Sequence, residues 1–271
     1  MASPDTDKVF AGSIPKLYDT HLVPLIFEPY AADLANRLRS KPLSQVLEIA
    51  AGTGVVTRAL ASVLLPSTAI VATDLNQAML DQAAAVGTKR PVEWRQADAM
   101  QLPFRDGMFD AVVCQFGVMF FPDRPAGMRE ARRVLRPGGA LVFNAWDRIE
   151  ANEFALAVTD ALAGVFPADP PRFMARTPHG YHDKGVIAGD VAKAGFATSQ
   201  IDTVAARSRA DSARTVAIAY CQGTPIRNEI ESRDASLLAA ATDAAERELI
   251  RRFGTGAVDG GIQAHVVVAP R

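Results

Sequence analysis

The sequence predicts an α/β protein built on a doubly wound parallel sheet, and three observations carry that expectation. Apolar runs of strand character alternate with amphipathic helical segments from residue 45 to residue 146. The first run, Val46-Leu47-Glu48-Ile49, leads straight into Ala50-Ala51-Gly52-Thr53-Gly54 and a helix. The second, Ala69-Ile70-Val71-Ala72-Thr73, ends on Asp74. In doubly wound sheets a glycine loop after the first strand admits a nucleoside, and an acid after the second accepts from two ribose hydroxyls.

Each element has its own signal. Ala31, Leu34, Ala35 and Leu38 make one apolar face of a helix over 29–40. Strands are expected at 45–49, 68–73, 92–96, 109–115 and 140–146. A helix over 55–65 follows the glycine loop, and Asn76 is placed to cap the next. Asp123 caps a helix over 124–136 whose apolar face is Met128, Ala131, Val134 and Leu135, and Pro137-Gly138-Gly139 stops it. The arginines of that helix read as a solvated face. The pattern then loosens. Helices are expected over 152–166, after the Asp183 cap, after Thr224-Pro225 and over 234–253, with strands at 197–205 and 263–269. One domain over 1–271 is the expected organisation: a helical lid at 1–42, a nucleoside-binding core at 43–146, helical cap pieces at 147–196 and 206–258, and a terminal strand segment at 259–271.

Composition narrows the partners. The chain has 271 residues, with 29 Lys plus Arg against 30 Asp plus Glu, so no global field draws nucleic acid or anionic membrane. Cys114 and Cys221 are the two cysteines; they make no disulfide framework and lack metal-ligand spacing, so no metal is expected. No apolar run reaches membrane-spanning length, so no membrane insertion is expected, and the acidic start is unlike a secretory signal. A cytoplasmic protein acting on a small molecule is the default. Composition does not address oligomeric state.

The loop discriminates among nucleosides. A dinucleotide fingerprint needs a third glycine, which allows close packing of helix on strand. Here that position is Thr57. None of the four tyrosines is followed four residues later by lysine, and no G-K-[S/T] completes a phosphate loop.

Taken together, Glu48 to Gly54, Asp74-Leu75, Gln96-Ala97-Asp98-Ala99, Leu102-Pro103-Phe104, Phe109-Asp110-Ala111-Val112-Val113 and Arg133-Val134-Leu135-Arg136-Pro137-Gly138-Gly139 resemble the motifs of the Rossmann-like (class I) S-adenosylmethionine (SAM)-dependent methyltransferases, of the small-molecule type that includes quinone-biosynthesis enzymes. The resemblance covers residues 45–146 in order. It implies a seven-stranded, mostly parallel sheet with an antiparallel last strand and a helical cap. It also implies SAM as cofactor, with S-adenosylhomocysteine as product.

The implied cofactor residues are Tyr18, Glu48, Ala50, Gly52, Thr53, Gly54, Asp74, Leu75, Asp98, Ala99 and Gln115. Asp74 suits the ribose diol because one carboxylate accepts several hydrogen bonds. Leu75 lies against adenine, Asp98 accepts from its exocyclic amine, and the Ala99 N–H meets a ring nitrogen. Glu48 faces the cationic amino group through water, Gln115 forms the floor between cofactor and acceptor, and Tyr18 closes over the methionine end. Ala50 replaces the first loop glycine of the family, which is tolerated if its φ stays negative.

Methyl transfer from a sulfonium is an in-line displacement, so proximity and orientation can supply on the order of 7–11 kcal/mol without a covalent intermediate. An alcohol or phenol acceptor gains from a base; His21, His179 and His182 are the candidates, while His265 falls in the terminal strand and reads as structural. Phe10, Phe27, Phe116, Met119, Phe120, Phe121, Trp146, Phe154 and Phe173 fall on segments able to line an apolar or aromatic acceptor pocket. The sequence therefore reads as a methyltransferase acting at O or C of a small molecule. The alternatives are a non-catalytic SAM-binding or regulatory module and an NAD(P)-dependent oxidoreductase. The antiparallel last strand discriminates against the oxidoreductase.

Overall fold

The computed structural model describes Asp7, Phe10 and residues 12–271. Seven strands make one sheet: β1 Gln45–Ile49, β2 Ala69–Asp74, β3 Glu93–Gln96, β4 Phe109–Gln115, β5 Leu135–Trp146, β6 Gln200–Ala210 and β7 Val258–Pro270. Their order across the sheet is β3-β2-β1-β4-β5-β7-β6, and β7 runs antiparallel to both its neighbours. This is the expected Rossmann-like α/β fold with an antiparallel last strand.

Period-two alternation in the central strands feeds two cores. Val46, Val113 and Val142 face a layer containing α2 Glu28–Leu38 and α3 Val55–Val63, through Leu34, Leu38, Val56 and Leu60. Leu47, Val112, Cys114, Leu141 and Phe143 face the larger core on the other side. α4 Gln77–Val86 follows β2, and α5 Arg124–Val134 precedes β5, started by Asp123, whose Oδ1 accepts from the Ala126 N–H at 2.9 Å. The cap consists of α6 Glu153–Val165, α7 Phe173–Arg176 and α8 Lys184–Lys193, then α9 Ala213–Gln222, α10 Ile226–Asp234 and α11 Leu238–Phe253. At the N-terminal end, α1 Ile14–Leu17 continues into a wide-turned π-helix, Tyr18–Phe27, which then runs into α2. Pro24 lies inside that turn without an N–H to give, and the Glu28 N–H reaches back to the Val23 carbonyl. Tyr18 stands at its start.

Four sequence expectations change. The helix expected to reach residue 136 ends at Val134, and β5 begins at Leu135, which pairs with Phe109. Pro137-Gly138-Gly139 thus sits in a register shift between strands rather than past a helix end. The helical insert expected from residue 206 begins with α9 at residue 213, because β6 and β7 stay paired from Gln200–Val268 out to Ala210–Val258. Beyond the Trp146–Ala264 pair, β7 has β6 alone beside it, so this arm carries an exposed Arg207/Arg209 face that reads like loop. Asn76 precedes α4 without a side-chain cap; its amide turns instead to Asp74 Oδ1 at 3.5 Å. The helix expected over 234–253 opens with a 3₁₀ turn, Ala235–Leu237, before α11. Among the described residues, no helix is long and apolar enough to cross a membrane.

Candidate functional site: two adjoining cavities at the strand ends

The β1 and β4 strands are neighbours while the chain leaves them toward opposite faces, and a crevice opens at their carboxyl ends. The loop after β1 is held from below by its own backbone. Ala51 N–H donates to the Thr73 carbonyl at 2.9 Å, and Gly54 N–H to the Ala51 carbonyl at 3.0 Å. Asp74, at the end of β2, braces it from the side: Oδ2 accepts from the Gly52 N–H and Oδ1 from the Asn76 N–H, each at 2.8 Å. Burial pushes the Asp74 carboxyl up, and these backbone donors oppose the rise. The Asn76 amide also reaches Oδ1, so the capacity for a further donor lies chiefly on Oδ2.

A cavity of about 890 Å³ opens over this loop. Of the residues expected to hold a nucleoside cofactor, Tyr18, Ala50, Gly52, Asp74, Leu75, Asp98, Ala99 and Gln115 line it. Asp98 Oδ1 already accepts from the Met100 N–H at 2.8 Å, which fixes the loop after β3 against the cavity. The Gln115 amide donates to the Phe27 carbonyl at 3.3 Å, while its buried Oε1 has no partner. A ligand with N–H groups at that point satisfies it. Asn76, Met79, Met100 and Gly117 also line the cavity; the sequence marks Asn76 as a helix cap, and the two methionines read as core.

Glu48, Thr53 and Gly54 do not line it. Glu48 is 1 % exposed and lies beneath the loop, where the Thr57 hydroxyl donates to its Oε2 at 2.5 Å. Burial pushes its pKa up to about 8, against the pull of Thr57 and Arg58. The carboxyl expected to face a cationic group thus buttresses the loop as a largely neutral acid. Thr57, the residue that stands where a dinucleotide fold has its third glycine, is that buttress's partner. Gly54 takes φ +83° at the start of α3, and a side chain there would begin 2.8 Å from the Trp94 ring.

Ala50 departs from expectation in a different way. Its φ is +53°, in the left-handed region, so the alanine sits in a conformation that favours glycine. Phe116, just past Gln115, has φ +49° and is the other such non-glycine residue among those described. The two strained residues meet across Gly117, where a side chain would begin 2.5 Å from the Ala50 methyl and 2.7 Å from Cys114 Sγ. Gly117 therefore supplies the room that the Ala50 methyl fills. Phe116 is held in place by its N–H, which donates to buried Asn144 Oδ1 at 2.8 Å, and by a stack on Trp146 with centroids 3.8 Å apart. Strain so firmly held clusters at binding sites.

A second cavity of about 440 Å³ adjoins the first and shares Phe10, Tyr18, Phe116 and Phe120 with it. Phe27, Met119, Trp146, Phe173 and Met174 complete most of its wall, and none of the described residues lining it is charged. Tyr18 stacks on Phe27 at 5.0 Å and meets Phe10 edge-on at 6.0 Å. The expected acceptor-pocket residues thus gather here, with two exceptions. Phe121 lines the first cavity, and Phe154 packs on Phe253 in the helical layer.

The three base candidates line neither cavity. His179 is buried behind Trp146, with ring centroids 5.9 Å apart, and its Nδ1 bonds to the Asp147 carbonyl at 2.8 Å. Burial holds its pKa down to about 4, so it is neutral near pH 7. His182 is exposed, with Nδ1 on the His179 carbonyl at 2.8 Å. His21 lies on the π-helix, outside both linings. His265 pairs with Asp147 at 3.3 Å and Thr203 at 3.0 Å within the sheet, as a structural residue does.

A nucleoside-admitting crevice on a doubly wound sheet is the class that fold and site define. Comparison with known proteins makes it specific. The methyltransferase domain family matches residues 47–143. The demethylmenaquinone methyltransferase of Mycolicibacterium vanbaalenii is 34% identical over 168 residues, spanning 59% of this chain and 71% of that one. The ubiquinone/menaquinone biosynthesis C-methyltransferase of Ectopseudomonas mendocina is 33% identical over 170 residues, spanning 58% and 66% respectively. Among solved structures, the YcgJ protein of Bacillus subtilis aligns with a TM-score of 0.57 at 16% identity, over 90% of this chain and 98% of that one. The [4+2]-cyclase SpnF aligns at 0.61 and 16% identity, over 99% and 98%. At that identity these two show the fold alone, and a cyclase among them shows that the fold does not fix the reaction. The sequence relatives do: the chain belongs to the class I SAM-dependent methyltransferases, and its cofactor is SAM.

Proposed function

We propose that the first cavity holds SAM and the second a small apolar acceptor, methylated at O or C where the two meet. The observation that carries this reading is the adjacency itself. A cavity bearing Asp74, Asp98 and an unpartnered Gln115 Oε1 opens, across four shared aromatic side chains, into one with no charge among the described residues of its wall. When bound, SAM supplies an electrophilic methyl group on a sulfonium.

The chain's own residues do the rest. Asp74, already anchored to Gly52 and Asn76, presents its remaining acceptor capacity to the ribose hydroxyls. Asp98 takes the adenine amine, Leu75 packs on the ring, and Gln115 Oε1 accepts from the ammonium of the methionine end. Tyr18 sits over Gly52, its hydroxyl 4.0 Å from where a side chain on that glycine would begin, and closes the methionine end. Phe116, rigidly strained and stacked, sets the floor at which the acceptor's nucleophilic atom comes into line. Among the described residues no carboxylate or histidine lines the second cavity, and burial holds the Tyr18 and Tyr220 hydroxyls protonated. The acceptor therefore brings its own nucleophilicity, as a phenolate or an electron-rich ring carbon does. The C-methyltransferase name of the Ectopseudomonas mendocina relative supports the carbon case.

The test is transfer of labelled methyl from SAM to a panel of phenols, quinone precursors, fatty acids and amines, with the labelled position read by NMR. Label on an oxygen or ring carbon of an uncharged or phenolic aromatic is expected. Label on amines alone contradicts the acceptor assignment. No product from any acceptor or cell extract favours the non-catalytic module.

A further inference from the structure

Among the described residues, the wall of the second cavity carries four polar side chains: Tyr18, Trp146, Tyr220 and Thr224. Two of them are accounted for. Tyr18 reaches over Gly52, toward the first cavity. The Thr224 hydroxyl donates to the Tyr220 carbonyl at 2.7 Å and accepts from the Ile226 N–H at 3.2 Å. Tyr220 is different. It projects from α9, which Ser212 caps through the Thr215 N–H, and is 2 % exposed. Its hydroxyl makes no hydrogen bond with any described residue, although the other deeply buried tyrosines each find one: Tyr30 donates to the Val204 carbonyl and Tyr181 to Asp190. Buried tyrosine hydroxyls normally find a protein partner; this one is absent from the fully enclosed unpartnered atoms, so it opens to the cavity it lines. Phenylalanine would fill the same apolar space without presenting a donor there. The Trp146 indole N–H, in the same wall, likewise has no partner among the described residues.

Resting on the reading of the second cavity as the acceptor site, we propose that Tyr220 is its specificity-determining residue: its hydroxyl takes up an oxygen of an otherwise apolar aromatic acceptor, with the Trp146 N–H as a second donor. The acceptor class is thus an oxygenated aromatic, uncharged or anionic. A bare hydrocarbon leaves both donors unsatisfied, and a cationic amine meets donors and apolar surface with no counter-charge among the described residues of the wall.

The test is isothermal titration of the full chain preloaded with S-adenosylhomocysteine, using 2-naphthol, naphthalene and 2-naphthylmethylammonium as probes. In the wild type 2-naphthol binds more tightly than naphthalene, and the ammonium does not bind. Tyr220→Phe, which removes one oxygen and keeps the ring, weakens 2-naphthol by about tenfold and leaves naphthalene unchanged, the size expected for one hydrogen bond. The variant's melting temperature and S-adenosylhomocysteine affinity match the wild type. Three results overturn the proposal: no preference for 2-naphthol in the wild type, an equal loss for both probes in Tyr220→Phe, or uptake of the ammonium as tight as that of 2-naphthol. Failure of S-adenosylhomocysteine to bind the wild type is a separate result, and it strikes the cofactor reading instead.

Discussion

Asp74→Ala weakens S-adenosylhomocysteine by roughly 1–3 kcal/mol, about five- to 150-fold, as expected when a charged acceptor of several hydrogen bonds is lost. The effect has two sources. The proposed ribose acceptor disappears, and so does the brace that holds the loop open: Gly52 N–H and Asn76 N–H both lose the carboxylate they donate to. Asp74→Asn is expected to fall close to alanine, because the amide nitrogen cannot accept from whichever backbone N–H it faces. Isothermal titration with S-adenosylhomocysteine measures both variants. An unchanged affinity means that the ribose lies elsewhere.

Gly117→Ala carries the second large effect, this time on stability. The added methyl would begin 2.5 Å from the Ala50 methyl and 2.7 Å from Cys114 Sγ, in a place where Ala50 is already strained at φ +53°. Overpacking of this kind costs about 1–3 kcal/mol in denaturant unfolding. Ala50→Gly alone changes stability by less than about 1 kcal/mol, because relief of left-handed strain is offset by the greater freedom of glycine in the unfolded chain. Combined with Gly117→Ala, it restores part of the loss and leaves the Cys114 contact. The two substitutions are therefore non-additive by at least about 0.5 kcal/mol. Additivity would mean that the two positions do not share their space.

What the sequence made legible here was whatever depends on local pattern and on chemistry fixed by position. The strand–loop–helix at Val46 to Gly54 and the acid after β2 are local, and the structure places Asp74 at the loop as read. Eight of the eleven expected cofactor residues line one cavity for the same reason. The misses share a cause: they depend on what packs against a residue from far along the chain. Glu48 was read as facing a ligand, but Thr57, one helical segment onward, turns it beneath the loop. The room for the Ala50 methyl depends on Gly117, sixty-seven positions away, and no local signal records that. His179 and His182 lie close in sequence, yet Trp146 and Asp147 hold His179 behind the cavity wall, and His182 is exposed beyond it on the His179 carbonyl. The β6–β7 arm escaped because Arg207 and Arg209 on β6 and Asp259-Gly260-Gly261 on β7 read as loop, although Val258 and Ile262 are buried.

The proposed cofactor and acceptor cavities meet at Phe10, Tyr18, Phe116 and Phe120. Met174 lines the second cavity alone, so Met174→Trp fills acceptor space without touching the first. Steady-state methyl transfer to the acceptor found in the screen, with each substrate varied in turn, is the most direct measurement. The account predicts that kcat/KM for the acceptor falls by at least about tenfold while KM for SAM stays within about threefold of the wild type. A raised KM for SAM with acceptor kinetics unchanged would contradict it.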